Sequence, residues 1–422
     1  MAHLKLVIDI TQLIHWQGKL TGIPRVMNEI TLRYKDENNT KFVVWEPASS
    51  KYVEVEIAKS LSDRGKKLHY AGSKNTNGWF SFFIFRALRK IKKLKAPIPE
   101  RLISFFGKHS NNLPEFEFSK CDKLFVLWGE INDSNFINNL KRLNERGVGI
   151  IQVSYDMLPL VTPQYSGHST KSMTVYNTAV FPIADLILTI SDHTKKDIIE
   201  WLQAHDLHVP SVEFFRLGDD FQASSPKKPQ DAAFKSSKLK GSDFLLTVGT
   251  IEARKNHTLL YYVYKLAEQK GIELSKIVIV GRKGWLSDGI YEFMTKDPLV
   301  KDKFVVLESA SDEELAWLYK KALFSVYPSF YEGWGLPIAE SIAHGTPCIC
   351  SDTSSMPEVA GDLVDYFNPL SAEELLQKMQ EYLNPVKLKK QRQKITKYKP
   401  TSWDTTFKQV KQIIEETYEK TN

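Results

Sequence analysis

Short runs of β-branched and aromatic residues recur along the chain, at 5–10, 42–45, 124–128, 149–154 and 186–191, and again at 244–248, 276–280, 304–307 and 324–327. Between many of them lie longer segments whose apolar positions follow a helical period, such as 194–204, 257–270 and 312–321. Strand-length runs alternating with helix-length segments predict parallel sheets covered by helices, the α/β class. The rhythm breaks at 221–243, FQASSPKKPQDAAFKSSKLKGSD, where large apolar side chains are few and Ser, Lys and Pro many. That composition predicts a solvated linker between two domains, 1–220 and 244–402. The halves share this rhythm only, without a repeat of solenoid length.

Composition narrows the class. A chain of 422 residues that is 42% hydrophobic and 25% charged is ordinary globular material, which excludes wholly disordered, collagenous and disulfide-stapled proteins. No apolar stretch approaches the ~20 residues that span a bilayer, and the first ten residues run straight into a strand-like segment without a signal-peptide core, so a cytoplasmic protein is expected. Cys121, Cys348 and Cys350 cannot form a bridge framework; Cys348 and Cys350 alternate within an apolar run, as buried free thiols do. No metal site is suggested. The net charge of +7 is mild, so its placement matters more than its size. Basic and apolar residues interleave at 82–95, from Phe82 through Arg89, Lys90, Lys92 and Lys93 to Lys95, before Pro97 and Pro99. This segment fits either a contact with an anionic membrane surface or a core-facing helix with a wet basic side. It lacks any recognised nucleic-acid-binding motif, and no nucleic-acid partner is expected.

The densest chemistry lies at 325–352, SVYPSFYEGWGLPIAESIAHGTPCICSD. A strand ends at Pro328, a loop carries Glu332, Gly333 and Gly335, Pro337 fits a first helical turn, and Glu340 follows on that helix. Two carboxylates therefore bracket a strand-to-helix turn. Glycines permit close backbone approach to a ligand, a helix start offers unpaired N–H groups to anionic oxygens, and carboxylates accept hydrogen bonds from sugar hydroxyls. By composition alone the same stretch is equally a capped loop followed by an exposed helical Glu.

The pattern Pro-Ser-x-x-Glu-Gly-x-Gly-Leu-Pro-x-x-Glu, with seven residues between Glu332 and Glu340, resembles the signature of retaining GT-B glycosyltransferases of family four, which includes bacterial mannosyl- and rhamnosyltransferases. The resemblance implies two Rossmann-like domains facing a cleft, with the stretch from Trp403 to Asn422 crossing back as a helix onto the first. It gives Glu332 a place by the donor sugar and Glu340 the ribose hydroxyls, with Gly333, Trp334, Gly335 and Leu336 presenting backbone to the donor. Glu358, in MPEVAG, reads as scaffold. LLTVGTIEARKN, 245–256, is similar to the family's first strand and loop of the second domain, whose basic residues grip the donor diphosphate; Arg254 and Lys255 take that role here. Many members place Arg after the glycine where this chain has Thr250, which puts more of the load on Arg254. IVIVGRKGW, 277–285, resembles a glycine-bearing loop near the nucleotide base and nominates Gly281.

In the first half, TGIPRV resembles a subgroup's glycine-rich loop facing the cleft, so Gly22 is expected at the donor and Arg25 at phosphate or acceptor. SYDMLPLVTP resembles the family's His-Asp or Tyr-Asp segment, with Tyr155 where many relatives have His, and nominates Asp156 for contact with acceptor or donor sugar. The resemblance spans nearly the whole chain outside 79–113. It implies a hexosyltransferase, mannose favoured and rhamnose an alternative, using a nucleotide diphosphate sugar such as GDP-mannose without a metal. The acceptor would be a growing bacterial surface glycan on a polyprenyl diphosphate at the inner face of the cytoplasmic membrane, as in polysaccharide and O-antigen assembly. A sugar-phosphate synthase with a soluble acceptor and a catalytically silent glycan- or nucleotide-binding subunit are the competing expectations. Replacing Glu332 by Ala is expected to abolish transfer and leave the fold intact.

Overall fold

The computed structural model describes residues 5–18, 20–62, 64, 114–166, 169–220, 226–230, 234 and 243–419. The basic segment 82–95 lies outside them. Two sheets organise the chain. The first contains β1 (Lys5–Asp9), β2 (Thr40–Glu46), β3 (Lys51–Glu54), β4 (Asp122–Val126), β5 (Gly149–Ser154), β6 (Leu186–Thr189) and β7 (Ser211–Phe214), in the order β3-β2-β1-β4-β5-β6-β7. Every pairing is parallel except β2 with β3, which is antiparallel. The second contains β8 (Phe244–Val248), β9 (Lys276–Val280), β10 (Phe304–Leu307), β11 (Ser325–Tyr327), β12 (Cys348–Ser351) and β13 (Asp365–Phe367), all parallel, in the order β10-β9-β8-β11-β12-β13. Central strands such as β5 and β12 are buried along their whole length, which is why they read as continuous apolar runs rather than alternating ones. Cys348 and Cys350 lie buried on β12 as free thiols, and Cys121 is exposed.

The strand order reverses beside β1 in the first sheet and beside β8 in the second. Ligand crevices of open α/β sheets form at such points, beyond the carboxyl ends of the strands. The loops leaving β4, β8 and β11 carry Trp128, Arg254 and Glu332 respectively, and Gly22 follows β1 after a short helix, Thr11–His15.

The linker is only partly solvated. Phe234 is 5% exposed, in edge contact with Trp317 at 5.7 Å and Phe244 at 6.2 Å between ring centroids, and the Lys227 N–H donates to the Glu313 carbonyl at 3.0 Å. The apolar side chain that breaks the polar run thus docks on the second domain. The helix Trp403–Glu419 packs on the first domain: Asp404 pairs with Arg33 at 2.7 Å, Lys411 with Glu37 at 2.8 Å, and the Tyr418 hydroxyl donates to Asp185 at 2.8 Å.

The domains share an apolar seam in which Trp334, Ile338 and Met356 join the core that contains Ile8, Val26, Leu188 and Val410. Polar groups fix its geometry. The Glu358 carboxylate accepts from the Asp192 and His193 N–H groups at 2.8 Å each, so a second-domain side chain caps the first-domain helix Asp192–Ala204 and complements its dipole. Arg216 donates to the Glu358 and Val359 carbonyls at 3.3 and 3.1 Å while its guanidinium lies 5.1 Å from the centre of the Trp334 ring.

Candidate active site

Two loops of the second domain build the centre. After β8 the chain turns through a short 3-10 turn, Ala253–Lys255, and Asn256 takes a left-handed conformation at φ 54° before the helix His257–Gln269. This presents Arg254 and Lys255 together. After β11 the chain crosses Pro328 to Gly335, whose φ of 120° suits glycine, and enters the helix Leu336–Ala343 with Pro337 in its first turn. The Phe330 N–H donates to the Arg254 carbonyl at 2.8 Å and stitches the loops together.

Glu332 is the hub. One carboxylate oxygen accepts from the Arg254 guanidinium at 2.7 Å; the other lies 2.5 Å from the Lys255 ammonium and 3.2 Å from the Tyr327 hydroxyl. Lys255 also bonds the Tyr327 hydroxyl. Arg254 carries a second ion pair, to Glu252 at 2.6 Å, and reaches the Tyr331 carbonyl at 3.2 Å. Ser354 and Ser355 hold the loop from below, the former accepting from the Glu332 N–H at 3.0 Å, the latter donating to the Glu332 and Trp334 carbonyls at 2.8 Å each.

Electrostatics follow from this packing. Burial alone would raise the Glu332 pKa, but Arg254 and Lys255 together take it down to about 2, so the carboxylate stays ionised at neutral pH. Burial lowers Lys255, with Glu332 opposing. Burial also lowers Arg254, but Glu332 and Glu252 outweigh it and hold that guanidinium above its ordinary value.

The first domain supplies the facing wall. Asp156 follows β5, accepts from the Leu158 N–H at 3.1 Å and is raised by burial, with Arg254 drawing it back. Gly333 sits against this segment: a Cβ built there would lie 2.1 Å from the Tyr155 carbonyl oxygen and 3.2 Å from the Asp156 Cβ. The Tyr331 hydroxyl crosses the cleft, donating to Asp197 at 2.5 Å and accepting from the Met157 N–H at 3.3 Å. Tyr165 stacks on Phe330 at 4.9 Å with an interplanar angle of 3°.

The remaining sequence-derived candidates fall into three places. Glu340 accepts from the Tyr319 hydroxyl at 2.9 Å; burial raises its pKa, and Tyr319 and then the Arg25 charge oppose this, so Arg25 acts on Glu340 from the first domain. Gly22, at φ 58°, opens the helix Ile23–Tyr34, and Arg25 lies 5.5 Å from the Trp403 ring centre. Gly281 backs onto the β8 loop, where a Cβ would stand 1.9 Å from the Gly249 carbonyl oxygen, and Thr250 is next to that contact. Trp334 turns its side chain into the shared core at 4% exposure, while Leu336 starts the helix bearing Glu340. Sequence reasoning did not find Tyr327, Tyr331, Asp197 or Tyr319, since nothing in local spacing shows that a hydroxyl will meet a carboxylate 134 residues away.

His257 lies directly behind Lys255. It is 1% exposed, neither ring nitrogen has a partner, and burial followed by the Lys255 charge lowers its pKa from 6.5 to about 3. Between those values the unfolded chain holds a proton that the folded chain refuses, so stability falls as pH drops through that window. Asp9, raised by burial from 3.8 to about 6, contributes the opposite slope. Comparing His257→Leu with the native protein cancels the Asp9 contribution. The slope of unfolding free energy against pH is expected to be lower in the variant than in the native protein by up to one proton, about 1.4 kcal/mol per pH unit, measured by urea unfolding across that window; an unchanged slope would refute the neutral buried imidazole.

Comparison with known proteins bears on the fold and on the second domain. Residues 229–401 match the family model described as Glycosyl transferases group 1. The chain is 31% identical over 207 residues to the O-antigen chain mannosyltransferase B of Escherichia coli, covering 47% of this chain and 52% of that protein. It is 27% identical over 294 residues to the serotype-specific mannosyltransferase WbdA of Escherichia coli, covering 66% of this chain and 35% of that protein. It thus spans about half or less of the length of these relatives. The solved structure of Anabaena Alr3699/HepE in complex with UDP and glucose superposes with a TM-score of 0.59 at 11% identity, covering 98% of this chain and all of that one, which shows a shared fold. The chain therefore has the GT-B fold, two α/β domains about a cleft, and its residues 229–401, most of the second domain, are similar to glycosyl transferases group 1.

Proposed function

We propose that this protein is a retaining hexosyltransferase that moves mannose from a nucleotide diphosphate sugar, GDP-mannose by preference, to a growing bacterial surface glycan carried on a polyprenyl diphosphate. The observation that carries the reading is the convergence of Arg254, Lys255 and Glu332 opposite Asp156, where the two domains meet. The mannosyltransferase relatives and their O-antigen context favour the sugar and the acceptor class.

In the proposed reaction the bond between the sugar C1 and the diphosphate oxygen breaks as the acceptor oxygen bonds C1 on the same face. The acceptor proton passes to an oxygen of the departing phosphate. Arg254 and Lys255 meet the charge that grows on the leaving group, in a site dry enough to strengthen each contact. Glu332, ionised at neutral pH, serves as an acceptor for sugar hydroxyls and a counter-charge to C1 rather than as a proton donor. Asp156 accepts from the acceptor hydroxyl, Glu340 from the ribose hydroxyls, and the helix start at Gly22 with Arg25 faces the phosphates. No resident metal enters this scheme.

Among the described residues no helix is long and apolar enough to cross a membrane. The reading places the protein at the cytoplasmic face of the membrane, with the basic segment 82–95 as its peripheral contact.

Thermal unfolding across a panel of nucleotide sugars tests the donor site. A ligand at 100 times its Kd adds about 2.7 kcal/mol to stability, so one donor and its nucleotide should raise the Tm by several degrees. Glu340→Ala should lose that shift. No shift with any donor, or an undiminished shift in the variant, would count against the assignment.

A further inference from the structure

Soon after β12 comes a run of hydroxyls, Thr353, Ser354 and Ser355, and it takes up the backbone of the Glu332 loop at alternate residues. Thr353 donates to the Phe330 carbonyl at 3.0 Å, Ser354 accepts from the Glu332 N–H at 3.0 Å, and Ser355 shares its proton between the Glu332 and Trp334 carbonyls at 2.8 Å each. Side chains of this strap therefore hold both backbone polar groups of Glu332. Ser354 has a φ of 51°, which few residues other than glycine adopt. Such a conformation persists where its surroundings fix it, and it tends to occur where geometry matters to function.

The strap runs directly into the helix Met356–Ala360, which bonds back to it: the Met356 N–H donates to the Thr353 carbonyl at 3.3 Å and the Glu358 N–H to the Ser355 carbonyl at 3.0 Å. The first domain grips that helix twice. Arg216 donates to the Glu358 and Val359 carbonyls, and the Glu358 carboxylate accepts from the Asp192 and His193 N–H groups. The helix Asp192–Ala204 already has a cap of its own, since Ser191 accepts from the Thr194 N–H at 3.1 Å. Glu358 takes two of the N–H groups that a helix start otherwise leaves to water. Further along the same helix, Asp197 accepts from Tyr331, the neighbour of Glu332. These contacts close into a ring: from the first-domain helix through Tyr331 to the Glu332 loop, from the loop through the strap to Glu358, and back to the helix.

We propose that Glu358 is a positioning residue for Glu332. It anchors the strap to the first domain, and the strap keeps the Glu332 carboxylate in its place between Arg254 and Lys255 while the domains are together. The effect on transfer rests on the glycosyltransfer reading above; the mechanical coupling does not.

Hydrogen–deuterium exchange of the full chain tests the coupling without any substrate. In Glu358→Ala the amides of 328–335 should exchange about ten-fold faster, together with those of 192–198, while the helix His257–Gln269 keeps its native rate. Glu358→Gln, which retains an acceptor oxygen, should lie between that variant and the native protein. Asp192→Pro deletes one N–H partner and leaves Glu358 in place; proline suits this first helical position, and Ser191 before it is already extended at φ −156° and ψ 157°. It should loosen 328–335 as well, whereas Asp192→Ala, which keeps the N–H, should not. These milder variants decide the matter should Glu358→Ala fail to fold. With GDP-mannose as donor and a manno-oligosaccharide as acceptor, Glu358→Ala should lower kcat by about ten-fold, less than the roughly 100-fold of a 1 Å misplacement. The KM for GDP-mannose should stay within about three-fold of native, because Glu340 is held by Tyr319, outside the strap. Native exchange at 328–335 in folded Glu358→Gln and Asp192→Pro proteins, or equal loosening of all three segments, would overturn the proposal and leave the glycosyltransfer reading untouched. The expected exchange in a protein that transfers no sugar would uphold the coupling and count against that reading instead.

Discussion

Replacing Glu332 by Gln is expected to lower kcat for sugar transfer by about 10²- to 10³-fold, the usual effect of removing one charge-stabilising group from a reaction centre, while nucleotide binding persists through Glu340. The structure changes the companion expectation that Glu332→Ala leaves the fold intact. Glu332 is the counter-ion of two largely buried cations, with Arg254 at 2.7 Å and Lys255 at 2.5 Å. Deleting one partner of a buried ionic cluster costs about 3–5 kcal/mol because the charge left behind has lost its water. Glu332→Ala should therefore unfold at distinctly lower temperature than the native protein, and Glu332→Gln, which still offers an oxygen to one cation, should fall between them. Adding Lys255→Met to Glu332→Ala removes one of the stranded charges and should recover part of the stability with none of the activity. Initial rates and thermal unfolding of the four proteins separate the two roles. Near-native transfer by Glu332→Gln would remove Glu332 from the reaction, and a Glu332→Ala protein as stable as the native one would show that the cluster is hydrated.

Much of this was legible in the sequence because the elements that matter are long or punctuated. The buried central strands β1, β4, β5, β8 and β9 announce themselves as apolar runs, and the glycines and prolines around Glu332 mark where a strand must turn into a helix. What escaped was short or relational. β3, β7 and β13 have four, four and three residues and lie at or near sheet edges, too brief for any period to show. Phe234 is one of the few large apolar residues of a polar linker, and its ring found Trp317 only in three dimensions. Glu358 was readable as scaffold, but its cap on a helix 165 residues away was not. Glycines were the hardest to interpret. Gly333 and Gly281 were nominated for approach to a donor, and each also fits against protein backbone, the Tyr155 and Gly249 carbonyls respectively. A glycine in sequence declares that something comes close, without saying what.

That ambiguity makes Gly333→Ala the most informative backbone test. No positive φ marks Gly333, so the constraint there is space alone. An added Cβ would stand 2.1 Å from the Tyr155 carbonyl oxygen, a backbone atom that cannot swing aside. Relief requires either that the 332–335 loop retreat into its own domain, carrying Glu332 off Arg254 and Lys255, or that the domains part, breaking the Tyr331 bridge to Asp197 and Met157. Either movement separates Asp156 from the Glu332 cluster by a fraction of the clash. Misplacement of reacting groups by about 1 Å costs roughly 100-fold in rate, so kcat should fall by about that factor even though no functional group has been removed. Because β8, β9 and the helix bearing Glu340 are untouched, stabilisation by the nucleotide should survive. Gly289→Ala provides the control: that glycine lies in the first turn of the helix Asp288–Lys296 with no atom within 4 Å of an added Cβ, and the variant should match the native protein or exceed its stability by about 0.4–1 kcal/mol. Steady-state kinetics of both variants, with nucleotide-dependent unfolding beside them, decide the matter. Transfer by Gly333→Ala within two-fold of native would mean that the reaction does not use the closed arrangement in which Tyr155 rests on the loop of Glu332.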